Sequence, residues 1–398
     1  MKFISQILLG LFASSLVFLC LNCSRKQVQV NAVSEPMLSK LPKPRLNVYI
    51  ENSGSMDGYM CPGSGLKDAI YDYVSDLNCN VDTTCLYFIN SQKIPFRGEL
   101  TDYITSMTPA KFRDAGGNRA NTDLRSIISE VLKTVNEGTV SLFVSDCILD
   151  LPSKDASSYL QNCQIRIKNE LNSAIERVPN LGVEVLKLSS SFDGKYFYPT
   201  GGFEALKGVK RPYYVWMFGD KRQLAKLNKV APLSRLQKYN LQGSVAFANL
   251  TVLPYEVTNR NMTGGIVLPL NGAYEVTLRV NFDETLQSDE VVRNLSNYRF
   301  LGKGAILNGV YPITDKDSKH THYINITIPQ TMTGGEETLL LEAPSLPAWI
   351  AASNDESGLN IRDNLDKTTG IKYLIEGVAD AYRGECVRAK MKFNVKRK

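Results

Sequence analysis

The chain has 398 residues, 43% hydrophobic and 22% charged, with a formal net charge of +6. That length allows two or three domains, each burying its own core, and the composition is that of a globular protein rather than a disordered or fibrous one. The positive excess is spread over the whole length with no dense run of Lys or Arg, which excludes a nucleic-acid track and leaves a mildly basic surface.

The amino terminus reads as a targeting segment. Lys2 precedes an apolar run from Ile7 to Leu21, and Cys23 follows at once. The run is shorter than the roughly 20 apolar residues of a membrane-spanning helix, so residues 1–22 are expected to be a signal peptide. It resembles bacterial lipoprotein signals, in the relaxed form of those of Bacteroidetes. Cys20 and Asn22 stand where the usual pattern has Leu and a small residue. The resemblance implies lipidation at Cys23, a membrane contact through that anchor, and an outer-membrane or cell-envelope location; secretion into the periplasm or beyond is the alternative. Residues 24–44 carry Pro36, Pro42 and Pro44 and few apolar side chains, and read as a tether. Export puts Cys61, Cys79, Cys85, Cys147, Cys163 and Cys386 in an oxidising compartment, where Cys79 with Cys85 and Cys147 with Cys163 could bridge; buried thiols are the alternative.

Leu46 to Ile50 is expected to be a buried strand, running into the small-polar turn Glu51-Asn52-Ser53-Gly54-Ser55. Leu66, Ile70, Tyr73, Val74 and Leu77 share one face at helical spacing. Strands follow at Thr84 to Asn90 and Ile94 to Arg97, then a short helix from Leu100 to Met107 and a loop from Pro109 to Ala120. A helix opening at Asn121-Thr122-Asp123 carries the stripe Leu124, Ile127, Ile128, Val131, Leu132 and Val135, and Gly138 ends it. Val140 to Ser145 is the next buried strand, closed by Asp146; a helix through Leu160, Ile167 and Leu171 stops at Pro179. Strands at Val183 to Leu188 and Tyr213 to Phe218 enclose an aromatic excursion, Lys195 to Gly208, read as packing with a binding surface as the alternative. Asp220 opens the last helix of this part. Strands alternating with helices over residues 45–235 predict an α/β fold with a doubly wound, mostly parallel sheet.

From about residue 240 the pattern changes to period two, at Tyr274 to Phe282, Ile324 to Ile328 and Ala389 to Val395. This predicts a smaller antiparallel, sandwich-like β domain over 240–398. One helix interrupts it, with Ile371, Leu374, Ile375, Val378 and Tyr382 on its face and Thr368-Thr369 as its caps. His320 and His322, the two histidines, read as a surface pair at a strand end rather than a metal site.

Three loops at strand ends or helix starts offer oxygen atoms: Glu51, Ser53 and Ser55 in the first, Thr122 in the second and Asp146 in the third. Carboxylates and hydroxyls without nitrogen or sulfur suit magnesium, manganese or calcium. The Ser-Gly-Ser-Met run at 53–56 and Val144-Ser145-Asp146 resemble the loops of the von Willebrand factor A domains. Their metal-ion-dependent adhesion site has an Asp-x-Ser-x-Ser loop, a Thr and a later Asp. The likeness covers roughly residues 44–235. It implies Ser53, Ser55 and Thr122 as hydroxyl ligands, Asp146 as a carboxylate ligand, and Glu51 in place of the family's first Asp. It also implies a divalent cation, Mg2+, Mn2+ or Ca2+, whose open position an acidic group of a partner protein fills. The function expected is recognition and adhesion at the cell envelope. Two other readings are a metal-free scaffold in envelope assembly and a metal-dependent hydrolase with Glu51 or Asp123 as base.

Overall fold

The computed structural model describes residues 41–398 apart from 121–122, 153, 259–265, 303, 316–317, 343–344 and 383–386. Seven strands form its largest sheet: β1 (Arg45–Glu51), β2 (Thr83–Ile89), β3 (Lys93–Phe96), β4 (Thr139–Ser145), β5 (Leu181–Phe197), β6 (Phe203–Asp220) and β7 (Leu241–Ala248), in the order β3-β2-β1-β4-β6-β5-β7. The parallel character expected from the sequence is confined to the centre, where β1 pairs in parallel with both β2 and β4. The pairs β2–β3, β4–β6, β6–β5 and β5–β7 are antiparallel, so the sheet is mixed. The cause is the β5–β6 hairpin. β5 runs in the same direction as β4, but the returning arm β6 takes the place between them.

Helices cover both faces of this sheet. Alternation on β1 sends Leu46, Val48 and Ile50 to one face and Tyr49 to the other; on β4 it sends Val140, Leu142 and Val144 one way and Phe143 the other. The first face packs α1 (Gly65–Asn78), α2 (Leu100–Thr105), α3 (Pro109–Arg113) and, further along the chain, α6 (Lys221–Val230). The second packs α4 (Leu124–Lys133) and α5 (Ala156–Arg177). Leu46, Val48 and Ile50 are fully enclosed, and each contributes roughly 1.5–3 kcal/mol of burial that keeps β1 central. β1 is followed by α1 on one face and β4 by α5 on the other, so the ends of these neighbouring strands lie side by side between helices of opposite faces. Open α/β sheets place ligands at such a point.

Two segments differ from the sequence expectation here. The stretch from Pro109, expected to be a loop, begins as the helix α3, started by Thr108, whose hydroxyl accepts from the Lys111 N–H (3.4 Å), and anchored by the buried Phe112. The excursion from Lys195 to Gly208 is the outer end of the β5–β6 hairpin, whose ladder continues to Phe197 opposite Phe203.

The remaining strands are β8 (Thr251–Val252), β9 (Tyr255–Val257), β10 (Ile266–Leu268), β11 (Tyr274–Val280), β12 (Tyr298–Phe300), β13 (Ile306–Pro312), β14 (His322–Ile328), β15 (Gly334–Glu342), the short pair β16 (Asn354–Asp355) and β17 (Thr368–Thr369), and β18 (Val387–Arg397). Two sheets, β13-β14-β11-β9 and β10-β18-β15-β12 with β8 beside β18, share one core through Val276, Leu278, Ile324, Ile326, Leu341, Met391 and Phe393. The second is not wholly antiparallel, since β10 and β8 both pair with β18 in parallel.

The division near residue 240 is not clean. β7 completes the first sheet, so the β-rich unit begins after it. The helices α8 (Ala348–Ala352) and α9 (Ile371–Ala381) return to the α/β unit, while α7 (Asp289–Arg293) stays with the β strands. Ile371, Leu374, Ile375 and Val378 join the core that α5 covers, and Gly377 permits the approach: a Cβ there would lie 2.6 Å from the Gln164 carbonyl. Thr368 and Thr369 are strand residues; Gly370, at φ 78°, is the residue that opens α9. The stripe on α9 was legible as a helix, but its partner lies some 200 residues upstream.

Candidate metal centre

The ends of β1 and β4 carry two buried carboxyl groups, close enough for the Asp146 charge to act on Glu51. Register sets Ile50 beside Val144, so the next residues, Glu51 and Ser145, come level on the face of Tyr49 and Phe143. Glu51 is 3% exposed and Asp146 2%. The Ser145 hydroxyl donates to Glu51 Oε2 and itself accepts from the Cys147 N–H at 2.7 Å. Asp146 Oδ1 accepts from the Ile148 N–H at 3.3 Å, while Asp146 Oδ2 is buried without a hydrogen-bond partner among the described residues. Ser53 and Ser55 face each other with their hydroxyl oxygens 3.0 Å apart, Ser53 on the Glu51 side and Ser55 on the Asp146 side. Glu51, Ser53, Ser55 and Asp146 are therefore brought together. Thr122 and Cys23 lie outside the described residues.

The longer side chain of Glu51 is accommodated by turning back against Ser145. Sequence reasoning assigned Ser145 no role, although its place directly across from Glu51 follows once the β1–β4 register is known. Other supports were equally unread. The Asn52 amide donates to the Phe112 carbonyl (2.8 Å) and its oxygen accepts from Asn90 (2.6 Å). Arg119 donates from Nε to the Asn52 carbonyl and from Nη2 to the Ser53 carbonyl, both at 2.9 Å, and pairs with Asp57. Gly117, at φ 74°, lets this segment pass over Asn90, since a Cβ there would lie 2.0 Å from Asn90 Oδ1. Cys147 holds a left-handed backbone (φ 56°), a strained conformation for a residue with a Cβ, directly after Asp146.

Electrostatics follow from burial. Loss of water pushes the Glu51 carboxyl up, the Asp146 charge adds to this, and hydrogen bonds from Ser145 and Ser53 offset only part of it. Burial also pushes Asp146 up, against the Ser55 hydroxyl, the Ile148 N–H and the Arg211 guanidinium. Burial at both carboxyls, and the Asp146 charge at Glu51, thus favour the protonated form over the charged one. Arg211 is itself 2% exposed; it donates from Nη1 to the carbonyls of Asn364, Leu365 and Lys367 at 3.0–3.1 Å and ties the segment before α9 to the back of the centre. From that segment Thr369 O accepts the Leu149 N–H at 3.0 Å.

The donor set is oxygen only, which fits a hard divalent cation. It is not a cage of acids: among the described residues no three His, Cys, Asp or Glu side chains gather as a metal cluster. Two carboxylates and two hydroxyls leave positions for water or a further ligand, as magnesium prefers. Asp123 is unsuited as a base. Burial would raise it, but hydrogen bonds from Arg125 and Ser126 outweigh that and hold it below the ordinary carboxylate range.

The other candidate constellations stand apart. His322 is paired with Asp289 at 3.0 Å and Thr321 at 2.9 Å, and His320 approaches Glu256 at 3.9 Å. Each histidine has its own carboxylate, and both side chains are only 9% exposed rather than on the surface as expected. Cys61, Cys79, Cys85, Cys147 and Cys163 are free thiols, so neither suggested bridge is formed. Cys147 is turned inward, with its sulfur accepting from the Trp216 indole at 3.3 Å. Cys386 lies outside the described residues. Comparison with protein-family models, with curated proteins and with solved structures gives no match for this chain.

Proposed function

We propose that this protein is a cell-envelope recognition protein that uses a divalent cation to bind an acidic group of a partner protein. The observation that carries the reading is the nearness of Glu51 and Asp146, two buried carboxyls, one of which keeps an oxygen without a hydrogen-bond partner among the described residues, beside the facing hydroxyls of Ser53 and Ser55. A buried carboxylate oxygen left unpaired costs about 1–3 kcal/mol or more, and a bound cation removes that penalty. On this reading Glu51, Ser53, Ser55 and Asp146 hold Mg2+ or Mn2+, Thr122 supplies a further hydroxyl, and a partner carboxylate takes the open position. What supports this reading is the resemblance of the Ser53-Gly54-Ser55 loop after β1, and of Asp146 after β4, to the metal-ion-dependent adhesion site of von Willebrand A domains.

Among the described residues no helix is long and apolar enough to cross a membrane. Attachment through a lipid on Cys23 is the matching proposal for location, and mass spectrometry of the mature amino terminus tests it. Titration calorimetry with MgCl2 and MnCl2 tests the centre. Saturable binding is expected that releases protons as the raised Glu51 carboxyl ionises, and that Asp146→Asn abolishes. Absence of heat with both ions overturns the reading.

A further inference from the structure

We propose that the outer end of the β5–β6 hairpin is the second half of the recognition surface, taking an aromatic side chain that lies within a few residues of the partner's carboxylate. This rests on the metal-centre reading above and adds to it the class of partner segment.

Cross-strand pairing sets Phe197 opposite Phe203 and Lys195 opposite Ala205, so these four share one face of the hairpin. The opposite face holds Tyr196, Leu206 and Phe192, which are buried. Phe192 sits edge-on to Tyr59 at 5.0 Å, and a Cβ on Gly194 would lie 2.5 Å from Gly58 Cα, so the hairpin is pinned against the turn that follows Ser55. The inward face thus accounts for how the hairpin is held. The outward aromatics stay about half open to water, Phe197 45% and Phe203 51% exposed.

Their position gives them a use. A Cβ on Gly54, between Ser53 and Ser55, would meet the Phe197 ring at 3.4 Å, so the ring edge borders the loop that presents the hydroxyl oxygens. Phe197 and Phe203 stand 6.3 Å apart, edge-on, with their planes at 60°. The exposed parts of such a pair can take edge-to-face or offset contacts from a third ring. Lys195 Nζ lies 3.9 Å from the centre of the Phe203 ring, and Lys195 and Lys207 are both exposed, which complements an acidic segment. Among the described residues, exposed Tyr71 and Ile165 of the same unit have no ring contact with another exposed aromatic, whereas Phe197 and Phe203 form an exposed aromatic pair beside the centre.

The experiment uses three probes, Ac-Gly-Asp-Gly-Phe-Gly-amide, its Phe-to-Ala form and its Asp-to-Asn form, titrated by NMR into the protein in saturating Mg2+. The Phe peptide is expected to bind about tenfold more tightly than the Ala peptide, and the Asn form not to bind. In Phe197→Ala/Phe203→Ala the preference should fall below twofold, with Mg2+ affinity by calorimetry and the far-UV circular dichroism unchanged. Equal binding of the Phe and Ala peptides to the Mg2+-loaded protein overturns the proposal, as does a preference that survives the double substitution. If neither Mg2+ nor Mn2+ gives heat, the metal reading fails and this proposal falls with it. That outcome is told apart because the ion titration contains no peptide.

Discussion

Substituting Glu51 by Gln separates the electrostatics of the centre from its packing. Gln keeps the length of the side chain and an oxygen that can accept from Ser145. In the folded protein burial and Asp146 push the Glu51 carboxyl up to about 8 from 4.5. The native state therefore retains a proton that the unfolded chain releases above pH 4.5. Stability is fully present below that pH and is lost as pH rises toward the folded-state value, by about 1.4 kcal/mol per pH unit for one proton. Between pH 5 and pH 7 the loss amounts to roughly 2–3 kcal/mol, and Glu51→Gln should remove most of it. Urea unfolding in EDTA at pH 5, 6 and 7 measures this directly. The variant should have the flatter profile, overtake the natural protein near neutrality, and gain nothing from Mg2+. An unchanged slope would refute the claim that the proton sits at this centre.

Three further outcomes follow from the same physics. Glu184, on β5, is buried with one oxygen bonded to Asn228 (2.6 Å) and the other unpartnered, and burial pushes it up to about 7. Its contribution is lost as pH rises from 4.5 to about 7, so Glu184→Gln should gain about 3 kcal/mol at pH 8 and nothing at pH 4, read by thermal unfolding. Arg119→Ala frees the Asn52 and Ser53 carbonyls from their clamp; a loss of about 1–3 kcal/mol in stability and at least tenfold in Mg2+ affinity is expected by calorimetry. Arg211→Met takes a donor from three carbonyls, of which Asn364 keeps the Lys367 N–H, and removes the cation facing Asp146, with an expected cost of about 3–5 kcal/mol and faster proteolysis within residues 360–370.

How much of the centre could be read in advance depends on the range of each contact. Glu51, Ser53 and Ser55 belong to one turn after one strand, so local pattern places them. Asp146 follows a strand whose unbroken apolar run marks it as central, and two central strands of one sheet put their ends together. Ser145 needed the register of β1 against β4, which no local pattern contains. Arg119 and Arg211 act on backbone carbonyls, and a carbonyl has no residue type to betray its partner. The hairpin was misread for a related reason. Its inner side chains pack against the turn after Ser55, and its Gly, Ser and Lys positions look like a loop until that support is present.

By itself the sequence determined most of the longer strands and helices and which oxygen-bearing turns close the first and fourth strands, because alternation and helical spacing act over a few residues. Only the tertiary structure decided that β6 returns between β4 and β5, that α9 packs on α5 rather than on the β sheets, and that Glu51 lies back against Ser145. Those outcomes rest on contacts between residues far apart in the chain, whose free energy depends on which surfaces meet and not on any local pattern.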